Sequence, residues 1–390
     1  MKNYDVVVIG AGIQGAGVAQ AAAAAGYSVI VLEKKEIAAG TSSKSSKLIH
    51  GGLRYLESYQ FSLVRKSLKE RAILCRLAPN LVKLQPFYIP IYKTTTRRSW
   101  QIKLGLSLYY FLGGAHKDNL FKRVKGNEGF SLDGLKQTEL QNIYQYYDGQ
   151  TNDASLTRAV MLSAQSLGAK IKCTVNINSI VKYNDSFNVT YNDKNITKEI
   201  QAKIIINAAG PWANELHEIV SSKANLLDID LVQGTHIIID APTAPSGIYY
   251  LEAQDKRAVF VMPYEFNGKL KTMVGTTEKL FQGKVDDVKA SKEEERYLLN
   301  VYKTYFPKHN DIEILDKFVG LRVLPKNDKS MFSRQRDTAL HWSLPNLLTL
   351  YGGKLTAYRT TSELVLKKIK PFLEKRQRIA YTDQLYLSEK

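Results

Sequence analysis

DVVVIGAGIQGAGVAQAAAAAGYSVIVLE, residues 5–33, decides the fold. Asp5 to Gly10 is a β-branched run of the kind buried on both faces of a parallel sheet. Gly10-x-Gly12-x-x-Gly15 follows at once, then a helix over Val18 to Gly26 whose alanines, Ala21 to Ala25, permit close packing on a sheet. Tyr27 to Glu33 reads as a second buried strand, and Glu33 closes it 18 residues after Gly15. The glycines serve a tight turn and a close backbone approach, and the helix N-terminus offers amides and positive potential to a pyrophosphate. A carboxylate at the end of the second strand accepts hydrogen bonds from ribose hydroxyls. A glycine-rich turn alone would be weak evidence. Strand, turn, helix and acid together make a dinucleotide site.

Further strands of the same buried type recur at Lys203 to Gly210 (KIIINAAG) and Asn346 to Tyr351, the second followed by Gly352-Gly353-Lys354 and a helix from Thr356 to about Lys370. Parallel-sheet pieces at the start, middle and end of the chain predict an α/β protein. We expect a discontinuous Rossmann-like domain over 1–82, 150–225 and 318–378. Into it is inserted an α+β substrate domain with an antiparallel sheet, over 83–149 and 226–317, and 379–390 forms a tail. After Glu33 the chain enters a hydroxyl-rich loop, Gly40-Thr41-Ser42-Ser43-Lys44-Ser45-Ser46-Lys47, where a nicotinamide enzyme would keep alternating strands and helices. Distant segments returning to one dinucleotide suit an extended FAD better than NAD.

Composition narrows the partners. The 390 residues carry 55 Lys+Arg against 37 Asp+Glu, a net charge of +18. This excess attracts polyanions: nucleic acid, anionic lipid or phosphorylated small molecules. No RNA-binding module is visible and the cations are spread along the chain, so nucleic acid is not expected. The 2 cysteines, Cys75 and Cys173, lack metal-ligand spacing, which points to a reducing compartment and to no structural metal. The N-terminus enters a strand at once and no apolar run reaches membrane-spanning length. The expected location is the cytoplasm, with peripheral attachment to the inner face of the cytoplasmic membrane as a further expectation.

The run Thr41-Ser-Ser-Lys-Ser-Ser-Lys-Leu-Ile-His50-Gly-Gly-Leu-Arg54-Tyr55-Leu-Glu57 resembles the signature of FAD-dependent, quinone-linked glycerol-3-phosphate dehydrogenases, within the D-amino-acid-oxidase-like flavoproteins. The resemblance continues in LVRKSLKERAILCRLAPNL (63–81), NAAGPWA (207–213), QGTHIII (233–239), DKRAVFVMPY (255–264), VGTT (274–277), GLRVL (320–324) and GGKLTAYR (352–359). It implies non-covalent FAD, oxidation of sn-glycerol 3-phosphate at C2 with hydride passing to flavin N5, and a quinone as acceptor. A homodimer is compatible with it. The family adds a helical C-terminal domain, so the chain resembles a short member. Gln233 stands where a lysine is common, and Val323-Leu324 where a Pro-Leu pair is usual.

The resemblance also implies roles. Cofactor contacts fall to Gly10, Gly12, Ile13, Gln14, Gly15, Glu33, Lys34, Gly40, Thr41, Ser42, Ser46, Lys47, Leu48, His50, Val175, Ala209, Gly210, Gly353, Lys354 and Leu355. Arg54, Tyr55, Arg322, Lys354 and Thr356 fall to the substrate. A phosphate monoester carries about two negative charges near neutral pH, and arginine forks hold it bidentately. His236, Arg322, Arg336 and His50 fall to catalysis, with Arg334 an alternative to Arg336. The alternating strand THIIID equally suits a core histidine at position 236. A second enzymatic reading is oxidation of another small anionic hydroxy or amino acid. Arg97 to Lys117 mixes cations with Trp100, Leu104, Leu108 and Phe111; such a helix can lie in a lipid interface or cover a core, and amphipathicity serves both.

Overall fold

The computed structural model describes residues 1–124, 132–242, 244–309, 312–326 and 338–389. Its first sheet is built from the strand Lys2–Ile9, which runs parallel both to Val29–Leu32 and to Ile196–Asn207. Leu347–Tyr351 continues it in parallel beyond Ile196–Asn207, Lys170–Lys172 beyond Val29–Leu32, and Ala339–Leu344 closes one edge antiparallel. An antiparallel meander, Val175–Tyr183 with Ser186–Asp193, pairs with the early part of Ile196–Asn207. The start, middle and end of the chain therefore share one sheet.

One face of that sheet carries the helices Ile13–Ala24, Asp153–Ser166 and Tyr358–Ile369. The alanine-rich first helix is buried almost all round, which is why it shows no polar face. Its approach to the last helix is close: a methyl group at Gly17 would stand 2.5 Å from Ser362 Oγ and 2.7 Å from the Tyr358 ring. Arg359 is locked against Glu70 through two hydrogen bonds, 2.9 and 2.6 Å, joining the last helix to the helix Phe61–Leu77.

The second sheet is mainly antiparallel. Its path runs Lys279–Phe281, Ile229–Ile239, Lys269–Gly275, Ala258–Phe266, Ile248–Glu252, Val82–Tyr92, Leu140–Thr151 and Leu48–Ile49. Ile248–Glu252 beside Val82–Tyr92 is the parallel pair in that path. The helix Lys292–Tyr305, started by a Ser291–Glu294 capping box, covers one face with Leu298, Val301 and Tyr302 against Ile237, Tyr249, Val259 and Val274.

Sheet membership differs from the expected division at two segments. The strand Ile314–Pro325 pairs along its length with Ile229–Ile239, from Ile314 opposite Ile239 to Pro325 opposite Ile229. A junction at 318 would cut it in two, so residues 318–325 go with the antiparallel sheet. Leu48–Ile49 likewise pairs with Leu140–Thr151 and not with the parallel sheet.

Candidate active site

Between the two sheets runs a cleft of ≈ 530 Å³. At one end the strand Lys2–Ile9 stops at Gly10, which turns with φ +101°. A side chain there would meet Ala208 O at 2.6 Å, so only glycine closes this turn against the neighbouring strand. The Ala11 amide donates to Glu33 Oε2 at 2.6 Å and the Lys35 amide to Oε1 at 2.8 Å, fixing the carboxylate at the strand end. The Ile13 amide, in the first turn of the helix, donates to Ser42 Oγ at 2.9 Å. The hydroxyl-rich loop is thereby tied to the helix N-terminus. Thr41 Oγ1 donates to Leu321 O at 2.8 Å, tying the same loop to the antiparallel sheet.

The other end is built by strand alternation. Residues directly opposed on antiparallel strands share a face. His236 opposes Phe318, Gly234 opposes Gly320 and Val232 opposes Arg322, so His236, Phe318 and Arg322 line one side. The His236 ring stacks on Phe318 at 4.9 Å and presents Nε2 to Ser46 Oγ at 2.9 Å. On its other flank it lies against Gly275, where a methyl would stand 2.1 Å from the ring. Burial, then the charges of Arg322 and Lys47, push its pKa down to about 3, so the imidazole is neutral across the physiological range.

Around it gather the cations. Lys354 Nζ lies 4.1 Å from the centroid of the Tyr55 ring, and the Arg54 guanidinium 5.5 Å from the same ring. Arg322 Nη1 donates to Glu278 Oε1 at 2.6 Å, and Arg54 Nη2 approaches the same oxygen at 4.0 Å. Arg257 Nη1 donates to the Glu278 carbonyl at 2.8 Å. The His50 amide donates to Thr356 Oγ1 at 3.2 Å, which joins the Leu48–Gly52 segment to the loop ahead of the last helix.

Of the expected cofactor contacts, Gly10, Gly12, Ile13, Gln14, Glu33, Lys34, Gly40, Thr41, Ser42, Ser46, Leu48, His50, Val175, Ala209, Gly210, Gly353, Lys354 and Leu355 line the cleft, as do Tyr55, Arg322, Thr356 and His236. Arg54 lines an adjoining hollow of ≈ 100 Å³. Two expected contacts fall elsewhere. Gly15 packs beneath the turn, where a side chain would stand 1.9 Å from Gly10 O. The Lys47 ammonium is turned into the protein, 2.6 Å from both Asp153 Oδ1 and Ser43 O. Arg334 and Arg336 lie outside the described residues. Glu278, Arg257 and Thr276 also wall the hollow. They were not singled out from sequence, although Arg257 sits inside the DKRAVFVMPY segment and Glu278 directly follows VGTT.

These residues suit an extended dinucleotide. The glycine turn and helix N-terminus face one end of a long cleft. Along its wall Gln14 Oε1 is buried with no hydrogen-bond partner, an acceptor that a bound polar group would satisfy. Among the described residues no cluster of three or more His, Cys, Asp and Glu is placed to hold a metal ion, and no helix is long and apolar enough to cross a membrane.

Residues 5–359 match the family described as DAO, FAD dependent oxidoreductase. The chain belongs to that family. It is an FAD-dependent oxidoreductase with the mixed α/β fold of its relatives. It is 36% identical over 378 residues to a glycerol-3-phosphate dehydrogenase of Pseudomonas aeruginosa, covering 95% of this chain and 72% of that one. It is 35% identical over 384 residues to a D-erythritol 1-phosphate dehydrogenase of Brucella abortus, covering 95% and 74%. Among solved structures, the FAD complex of a Bacillus halodurans glycerol-3-phosphate dehydrogenase superposes with TM-score 0.77 at 26% identity, over 99% of this chain and 68% of that one.

Proposed function

We propose that this flavoprotein oxidises sn-glycerol 3-phosphate at C2 to dihydroxyacetone phosphate and passes the electrons to a quinone. The observation that carries this reading is the convergence of neutral His236 with Arg322, Arg54, Tyr55 and Lys354 in the cleft and the hollow that adjoins it. The names of the glycerol-3-phosphate dehydrogenase relatives support it. Bound FAD would accept the hydride at N5 and hold the substrate's two electrons until a quinone took them up.

The protein residues do the rest. Arg322 and Arg54 fork onto the phosphate, with Lys354 adding a point charge. His236, held upright between Phe318 and Gly275, takes the C2 hydroxyl proton at Nε2 as Ser46 gives way. Arg322 also steadies the oxygen as it loses that proton. His50 completes the wall, its backbone amide donating a hydrogen bond to Thr356 Oγ1.

Anaerobic mixing of the yellow holoprotein with glycerol 3-phosphate tests the reading. Bleaching of the flavin band is expected. The Brucella relative favours a second reading, a longer polyol phosphate; faster bleaching by D-erythritol 1-phosphate than by glycerol 3-phosphate would select it. No bleaching by either would remove the phosphate-ester reading.

Acceptor access favours a membrane surface. The helix Ser99–Leu112 buries Leu106 and Tyr109 yet exposes Trp100 (65%), Leu104 (62%) and Phe111 (69%), with Arg97, Arg98 and Lys103 nearby. We assign this face to peripheral attachment at an anionic bilayer.

A further inference from the structure

The cation cluster already contains an anion. Glu278 lies at its centre with its side chain only 9% exposed, while Arg54 and Arg322 are 34% and 30% exposed. One carboxylate oxygen meets Arg322 Nη1 at 2.6 Å and lies 4.0 Å from Arg54 Nη2. The backbone carbonyl of the same residue accepts from Arg257, whose Nε is occupied by Asp255 at 2.6 Å. Glu278 thus occupies a donor of Arg322 and stands within ion-pair distance of Arg54, the two arginines to which the substrate anion is assigned, and it does so from inside the hollow they wall.

Its backbone is firmly held. The neighbouring Thr277 donates through Oγ1 to Glu294 Oε1 at 2.6 Å, while its Oγ1 accepts from the Thr235 amide at 2.9 Å. Glu294 also accepts from Thr235 Oγ1 at 2.8 Å and Gln233 Nε2 at 2.6 Å. The loop carrying Glu278 is therefore clamped to the strand carrying His236. This leaves the carboxylate to yield by side-chain rotation, not by loop movement.

We propose that Glu278 sets the affinity of the anion pocket, an internal competitor that the entering phosphate must displace. This rests on the reading of the site as a phosphate-ester pocket. An entering anion must break the Glu278–Arg322 contact or sit beside a like charge, and either weakens its binding. A phosphate monoester brings nearly two charges to the arginines. A carboxylate brings one, equal to the charge it would replace. The same competition speeds departure of the phosphorylated product, because Glu278 re-forms its bond to Arg322 as the product leaves.

The test uses FAD-loaded protein and needs no turnover. Inorganic phosphate and acetate are titrated into wild-type and Glu278→Gln holoenzyme, and binding is read from the perturbation of the flavin spectrum. The variant is expected to bind phosphate at least about tenfold tighter, since one like charge is removed at contact distance. Its gain for acetate should be no larger than for phosphate, because displacing one carboxylate costs every entering anion the same and an undisplaced one repels a dianion more. Glu278→Ala should move both affinities in the same direction. In turnover with glycerol 3-phosphate, KM and kcat should fall together as product release slows. Phosphate binding equal to or weaker than wild type in both variants would overturn the proposal and reduce Glu278 to a prop for Arg322. No phosphate perturbation in wild type or either variant would remove the phosphate-ester reading and Glu278's role with it, a different result from unimproved binding.

Discussion

The Tyr109 hydroxyl lies 2.9 Å from the amide nitrogen of Gly51 and accepts its proton. Tyr109 belongs to the helix whose outer face carries Trp100 and Phe111, and Gly51 follows His50 in the cleft wall. The same hydroxyl donates to Asp148 Oδ2 at 2.6 Å, and Asp148 Oδ1 accepts from Arg71 Nη1 at 2.6 Å. All three side chains are buried. Removing only the phenol oxygen, as in Tyr109→Phe, leaves the Gly51 amide and one carboxylate oxygen without this partner, at a cost of roughly 1–3 kcal/mol. Thermal unfolding should show a lowered midpoint, and KM for the substrate should rise more than FAD affinity changes. An unchanged melting curve would mean that water replaces the hydroxyl freely.

Glu33 holds the glycine turn through Ala11 and stands where a ribose is expected. Glu33→Ala should release FAD, with an affinity loss of at least about tenfold, the equivalent of one charge-assisted hydrogen bond of roughly 1.4 kcal/mol. Fluorescence titration of FAD into apoprotein measures it. Equal affinities would place the ribose elsewhere.

His236 makes stability depend on pH. Its folded pKa, about 3, lies below the ordinary 6.5, so between these values the unfolded chain binds a proton that the folded protein refuses. Stability is lost as pH falls through 6.5 and stops falling on this account near 3. The slope from this one group is about 1.4 kcal/mol per pH unit. His236→Asn should flatten the profile of denaturant midpoints over that window, and a parallel profile would show that the group titrates normally.

Arg322 is assigned a fork that lysine cannot supply. Arg322→Lys should keep the flavin spectrum and lose kcat/KM for glycerol 3-phosphate by about 10–100-fold. Stopped-flow flavin reduction is the measurement, and wild-type reduction would clear Arg322 of substrate contact.

The exposed face of Ser99–Leu112 should bind anionic vesicles at low salt and release them at high salt. Leu104→Asp combined with Phe111→Asp, both at exposed positions, should abolish sedimentation without lowering the melting temperature. Retained sedimentation would move the attachment to another surface.

Local pattern carried much of this structure. The glycine turn, the alanine helix and Glu33 are adjacent in sequence and act together, so spacing revealed them. His236 was ambiguous because a strand face can look inward to a core or to a site. The opposing strand settles its surroundings, with Phe318 against the ring and Arg322 on the same face. The orientation of the Lys47 ammonium is not legible locally, because its partner, Asp153, is 106 residues away and nothing near Lys47 in sequence foretells a buried ion pair. The departure at Gln233 has a local reason: its amide serves the buried Glu294 carboxylate and so supports the clamp behind the site. Glu278 and Arg257 meet only through the pairing of strands and the loops that join them, a long-range relation that periodicity does not encode.

The cleft draws its walls from Gly10 to His50, from Ala208 to Trp212 and from Gly352 to Thr356. During synthesis the ribosome emits the glycine turn long before the last of these segments clears the exit tunnel. The early strands can pair with one another but cannot enclose a ligand. Cofactor capture is therefore a late event in the life of the nascent chain, and a translation arrest before residue 352 would yield a colourless intermediate.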